Sequence, residues 1–154
     1  MPSEIQVFTE AQRELLTAAL NRIIPREGAL PGAGELRLSE VLERVLGQDV
    51  RLRRLFNDGL AHIEIVAERR HGKEFSQLSG TAMDATLQEV EASLPHFFEA
   101  LVRQTYRAYY SHPQIAPLVG YSPAAPPTKD YQPELLDEKL VELQRQRAPF
   151  WKQV

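Results

Sequence analysis

Residues 95–121 read PHFFEALVRQTYRAYYSHPQIAPLVGY. Apolar side chains recur every three or four positions, the period of a helix with one covered face, and nothing alternates with the period of a strand. Pro95 suits the first turn, where a missing N–H costs no hydrogen bond. Phe98, Val102, Tyr106 and Tyr110 form one row, with Phe97, Leu101 and Ala108 on its flank. His112-Pro113 predicts the end of the helix and the start of an extended, Pro-containing segment. Four of the five tyrosines fall between Tyr106 and Tyr121. A row such as Phe98-Val102-Tyr106 reads as core, and Phe97 to Val102 are assigned there. Tyr109, Tyr110 and Tyr121 read instead as interface, because tyrosine needs a partner for its hydroxyl and is enriched where proteins meet. Nearby prolines lower the entropy lost when such a segment docks.

The same period runs through the sequence upstream. A first helix is expected from Glu10 to Ile24, with Thr9 as N-cap, Gln12 completing a capping box, and Pro25 ending it. Leu16, Ala19, Leu20, Ile23 and Ile24 make its inward face. A Gly/Pro-rich loop, 26–34, precedes a second helix over Glu35–Leu46, with Leu38, Val41, Leu42 and Val45 inward and Gly47 interrupting it. A long third helix spans Asp49–Arg70, with Leu52, Leu55, Phe56, Leu60, Ile63 and Ala67 inward and Gly72 as C-cap. Gly59 inside it costs about 1 kcal/mol relative to alanine, which a close helix crossing would explain. Phe75 and Leu78 pin the next loop. Thr81 is the expected N-cap of a fourth helix carrying Met83, Leu87 and Val90. Residues 113–133 hold six of the eleven prolines, and Pro123, Pro126 and Pro127 favour a polyproline-like arm. Pro133 opens a last helix with Leu135, Leu136, Leu140 and Leu143. The expected architecture is all-α: a compact bundle of about five helices over residues 1–122, then a Pro-rich arm and a C-terminal helix over 123–154.

Composition restricts the chemistry. The 154 residues carry a net charge of −3, which argues against a general nucleic-acid binder. Arg51, Arg53 and Arg54, and Arg69 and Arg70, read as solvated helix faces diluted by acids. The chain has no cysteine, so thiol catalysis, disulfides, iron–sulfur clusters and cysteine-based zinc or haem sites are excluded. No apolar run reaches the roughly 20 residues of a membrane span. Residues 1–8 show neither a signal-peptide pattern nor a twin-arginine pair, so the expected location is the cytoplasm, or the periplasm if a leader has been removed.

Local candidates for a site are weak. Gly28-Ala29-Leu30-Pro31-Gly32-Ala33-Gly34 could cradle a phosphate at a helix start, but lacks the preceding strand and glycine spacing of a dinucleotide fingerprint. It reads as a tight loop. No two of His62, His71, His96 and His112 are spaced i, i+4 like a helical metal pair. His96 and Glu99 read as a solvated pair, and His112 as a residue bonding the last carbonyls of its helix rather than a general base. Ser76, Ser79 and Ser111 lack a nucleophile elbow. Glu89, Glu91, Asp137 and Glu138 read as helix-surface carboxylates.

Four segments together resemble a known family. They are Leu16–Pro31 (LTAALNRIIPREGALP), Phe56-Asn57-Asp58-Gly59-Leu60, Gly72-Lys73-Glu74-Phe75 with Leu78, and Phe97-Phe98 through Tyr106, Tyr109–Pro113 and Gly120-Tyr121. In this order and spacing they resemble the gluconate 2-dehydrogenase subunit 3 family over about residues 8–122. The resemblance implies a non-catalytic small subunit. Its partner would be a large subunit of the glucose-methanol-choline (GMC) type that carries FAD and the active-site histidine. Some such complexes add a multihaem cytochrome c. No cofactor is then expected in this chain. Many family members carry a twin-arginine export signal, which this sequence lacks. Tyr106, Tyr109, Tyr110, His112, Pro113, Gly120 and Tyr121 are the expected contact residues, with Phe150 and Trp151 as a second patch. A different class of reading remains open: a small independent enzyme or ligand binder with a pocket near His112, Tyr106 and Tyr121.

Overall fold

Thr9 starts the first helix as its sequence predicts. Its hydroxyl accepts the Gln12 N–H at 3.2 Å, and the Gln12 side chain accepts the Thr9 N–H at 2.9 Å. This capping box opens α1, Glu10–Ile23, in a computed structural model that describes residues 6–120. The expected arm, the C-terminal helix, Tyr121, Phe150 and Trp151 lie outside the described residues.

Four more α-helices follow: α2, Leu38–Gln48; α3, Val50–His71; α4, Gly80–Ser93; and α5, Pro95–Tyr110. Short 3-10 turns at Ala33–Leu36 and Phe75–Gln77 link them. Among the described residues there is no strand, only an isolated bridge between Glu27 and Leu30, so the fold is all-α. None of the described helices is long and apolar enough to cross a membrane. Helix α1 is central: it touches each of the other four and buries Leu15, Leu16, Ala19 and Leu20. Arg22 near its end forks onto Asp84 of α4, with both bonds at 2.7 Å. Phe75 is fully buried, as expected, and its N–H donates to Glu64 of α3 at 3.2 Å.

Gly59 sits where α3 crosses α5. A Cβ there would lie only 2.2–2.4 Å from carbons of the Phe97 ring. Phe97 in turn meets Phe56 edge-on, with centroids 5.6 Å apart at 85°, the favoured aromatic geometry. The crossing fixes the rotation of α5 and corrects the expected row. Phe97, Leu101, Thr105, Ala108 and Tyr109 are the buried face, while Phe98 and Val102 are half-buried and Tyr106 and Tyr110 are exposed. The buried Thr105 hydroxyl donates to the Leu101 carbonyl at 2.7 Å, so a polar residue can occupy this face.

Three boundaries differ from expectation. Arg37 adopts a left-handed conformation, φ 52°, which divides the second helix into a 3-10 turn and α2. Helix α2 then buries Leu38, Leu42 and Leu46 in i, i+4 steps and turns Val45 outward, 39% exposed. It also runs through Gly47 to Gln48. Helix α4 starts before Thr81: the Ser79 hydroxyl caps it by accepting the Ala82 N–H at 3.3 Å. From Ser111 to Gly120 the chain turns rather than extends. His112 and Ile115 carbonyls accept N–H groups from residues three and four ahead, and successive turns bury Ile115 and Ala116.

Glu43 is a buried carboxylate in the apolar face of α2, 8% exposed. Its Oε1 accepts the Val7 and Phe8 N–H groups at 2.7 and 3.0 Å, and both its oxygens receive the Arg13 guanidinium at 2.9 and 3.1 Å. These bonds hold the segment before α1 on the bundle and place the Phe8 ring in the core, 1% exposed. Burial pushes the Glu43 carboxyl up, but Arg13 and the two backbone donors outweigh it and leave the group below its ordinary 4.5.

Gly59→Ala gains about 1 kcal/mol of helix propensity yet forces Phe97 out of place. The expected net loss is about 2 kcal/mol, read as a lower Tm. Because the folded-state pKa of Glu43 is depressed, its contribution is complete above the unfolded value and disappears as pH falls through the folded value. Glu43→Gln is therefore expected to lower Tm most above about pH 5 and to converge with the unmodified chain in acid. A pH-independent difference would contradict the role given to the charge.

Candidate functional site

The tyrosines of α5 separate into two roles. Tyr109 is 2% exposed and its hydroxyl donates to the Pro31 carbonyl at 2.8 Å. It closes the loop between α1 and α2 against α5, and burial pushes its phenol above the usual range, with Tyr110, Glu27 and Glu35 adding to the effect. Tyr109 is therefore a core residue, not the contact residue expected from sequence. Its position i+4 from Thr105 places it on the covered face.

Tyr106 and Tyr110, one turn apart, are 43% and 44% exposed. Their rings lie nearly parallel, 7° apart with centroids at 5.8 Å, and the Tyr110 ring meets Tyr109 edge-on at 5.2 Å. The pair is thus braced from beneath by a buried residue. Large side chains held in one arrangement lose little entropy on contact. In the turns after α5, Leu118 is 61% and Val119 42% exposed. Pro113 is exposed too, as is Gly120, which has φ 76°. The described part of the expected contact set is therefore on the surface, apart from Tyr109 and a half-buried His112.

His112 bonds the end of its helix through its backbone N–H, which donates to the Tyr109 carbonyl at 3.1 Å, and not through its ring. Its Nδ1 accepts the Gln114 N–H at 3.2 Å, while the Ser111 hydroxyl donates to the Arg107 carbonyl at 2.6 Å. His62 Nε2 lies 2.9 Å from Ser93 Oγ. The Ser93 hydroxyl already donates its proton to the Glu89 carbonyl at 2.8 Å, so it accepts from histidine. A base-activated nucleophile needs the reverse polarity. His96 is exposed, and Glu99 pairs with Arg103 at 2.5 Å. His71, the last residue of α3, buries its Nε2 without a partner among the described residues. Glu89 receives both Arg69 and Arg70, the latter at 2.9 Å. Among the described residues no group of three or more His, Asp or Glu could hold a metal.

The Gly-rich loop does not fit a phosphate. The amides nearest the helix start are already used: Gly32 N–H donates to Glu35 at 3.1 Å, Ala33 N–H to the Ile24 carbonyl at 2.9 Å, and Gly34 N–H to Asn21 at 2.9 Å. The Glu35 carboxylate, itself forked to Arg26, would repel an anion. Asn21 and Glu43 carry much of this polar framework, yet neither stood out in the sequence. Glu43 had a signal, since it falls inside the apolar arc between Leu42 and Leu46.

Tyr109→Phe leaves the Pro31 carbonyl without its donor. The expected cost is about 1 kcal/mol of stability, measured by denaturant titration, with the exposed aromatic pair unchanged. A neutral result would mean that water replaces the hydroxyl and that the loop is held elsewhere.

Neither a curated protein nor a solved structure matches the chain. The family model described as gluconate 2-dehydrogenase subunit 3 matches residues 10–127, a range that takes in all five helices and the apolar turns after them. The chain belongs to the gluconate 2-dehydrogenase subunit 3 family, whose name marks its members as subunits of a dehydrogenase.

Proposed function

We propose that this chain is a non-catalytic accessory subunit that binds and stabilises a FAD-dependent large subunit of the GMC type, acting on a sugar or glycoside. Family membership supplies the class of complex. The observation that carries the reading is the exposed, braced Tyr106–Tyr110 pair. Two large rings left in water at a helix end, followed by exposed Leu118 and Val119, are what an interface core requires. Aromatic anchors dominate binding energy at such cores. The flavin and the reacting histidine belong to the partner in this reading. His62, His112, Ser79, Ser93 and Ser111 have structural bonds that suit a supporting role.

The mechanism is linkage. A subunit that binds the folded flavoprotein but not its unfolded chain shifts the equilibrium toward the folded form by RT ln(1 + [L]/Kd). At a concentration one hundred times Kd this is about 2.7 kcal/mol, enough to change soluble yield severalfold.

Expression of the large subunit with and without this chain tests the proposal. Co-expression is expected to raise soluble yield, flavin content and activity together. The double variant Tyr106→Ala/Tyr110→Ala is expected to keep its own Tm within a few degrees but to bind the large subunit roughly a hundredfold more weakly. Equal yield and flavin content with or without the chain would refute the accessory role. Sugar turnover by the pure chain alone would favour an independent enzyme.

A further inference from the structure

Among the described residues the carboxylates that are buried or half-buried are Glu43, Glu64, Asp84 and Glu89. Three of them meet arginine: Glu43 meets Arg13, Asp84 meets Arg22, and Glu89 meets Arg69 and Arg70. Glu64, on α3, meets no cation among the described residues. Its hydrogen bond there comes from the Phe75 N–H at 3.2 Å. A carboxylate taken partly out of water with one neutral donor is poorly compensated.

The groups around Glu64 do not supply the missing charge. Glu68 lies one turn on along α3, and Glu74 immediately precedes the Phe75 that Glu64 holds. The Gln77 side chain donates to Glu74 at 3.3 Å and keeps it near the turn. His71, two turns on from Glu64, buries its Nε2 without a partner among the described residues. On the helices packed against this region, Arg13 and Arg22 of α1 and Asp84 and Glu89 of α4 are engaged in the pairs above. Lys73, in the same link, is exposed and forms no ion pair among the described residues. Burial pushes the Glu64 carboxyl above its usual range; the Phe75 N–H opposes this, and Glu74 and Glu68 add to it.

What Glu64 holds is the link between α3 and α4. Phe75 and Leu78 are its buried residues from 73 to 79, the former wholly covered between α1 and α3. Its 3-10 turn is closed by the Gln77 N–H on the Glu74 carbonyl and the Leu78 N–H on the Phe75 carbonyl, at 3.0 and 3.1 Å. Short segments with few buried contacts are where local opening begins. We propose that Glu64 is a proton-operated latch on this link: protonated, it holds the 3-10 turn closed on α3, and ionised, it lets the turn open ahead of the rest of the bundle. A protonated carboxyl still accepts the Phe75 N–H through its carbonyl oxygen. Because the folded form binds the Glu64 proton more tightly than the unfolded chain, the latch's contribution is complete below the unfolded pKa and is lost as pH rises through the folded one. At neutral pH the link is therefore kept loose. This inference does not depend on the accessory role.

Native-state hydrogen exchange of the full chain, followed by NMR and corrected for the intrinsic pH dependence of exchange, tests the latch. In the unmodified chain at about pH 7 the amides of Phe75, Gln77 and Leu78 are expected to exchange faster than that of Leu101 in the core of α5. Glu64→Gln keeps an acceptor for the Phe75 N–H without the charge. It is expected to slow those three amides severalfold at about pH 7 and to match the unmodified chain at about pH 4. Glu64→Ala removes the acceptor as well, and is expected to speed the Phe75 amide at about pH 4, where the unmodified chain is latched. Circular dichroism on each variant checks folding. Unchanged or faster exchange in Glu64→Gln at neutral pH would overturn the latch, since the charged carboxylate would then be the better clasp. Equal slowing at both pH values would also overturn it, by assigning the effect to shape and not to charge. So would link amides as slow as Leu101 in the unmodified chain, or a Phe75 amide indifferent to Glu64→Ala in acid.

Discussion

The close crossing of α3 and α5 at Gly59 is the constraint on which the rest depends. It admits the Phe97 ring against the α3 backbone, and Phe56 closes on that ring from its edge. A helix fixed at Phe97 has its covered face set for its whole length. Steps of four residues carry that face through Leu101, Thr105 and Tyr109. The neighbouring row, about 100° away, is then turned out and ends in Tyr106 and Tyr110. A rotation of one residue position would bury the exposed pair and expose Thr105 and Tyr109. The surface available to a partner is thus a consequence of one glycine.

Polar contacts refine what packing sets. Arg22 and Asp84 join α1 to α4, Glu43 and Arg13 hold the segment before α1, and Tyr109 ties the α1–α2 loop to α5. Each is a long-range contact in sequence, and each leaves its groups satisfied. His62, His112, Ser79, Ser93 and Ser111 are drawn into the same framework as caps and hydrogen-bond partners. A shaped, presented surface of this kind is what the proposed accessory role requires.

Much of this was legible in the sequence because it was local. The Thr9 capping box, Pro95 at a helix start, Gly72 at a helix end and the tight packing of Gly59 all depend on neighbours within a turn or on the cost of an unexplained glycine. The family likeness was legible because four short segments kept their order. The covered face of α5 was not, since two rows on one helix are both apolar and Thr105 disguises the true one. Only the partner helix distinguishes them. Arg37 misled the reading of α2, as nothing in an arginine announces a left-handed conformation. Prolines after His112 suggested an extended chain, but Ile115 and Ala116 had a core to reach, and consecutive turns take them there. Glu43 went unnoticed because its partners, Val7, Phe8 and Arg13, lie thirty or more positions away.

Side-chain footprinting with hydroxyl radicals addresses the central claim most directly, because it reports each tyrosine separately. In the free chain Tyr106 and Tyr110 should be oxidised readily and Tyr109 slowly. On formation of a complex with the proposed FAD-dependent large subunit, Tyr106 and Tyr110 should become protected while Tyr109 stays as it was. Unchanged oxidation of Tyr106 and Tyr110 in an intact complex would show that the partner grips this subunit somewhere else.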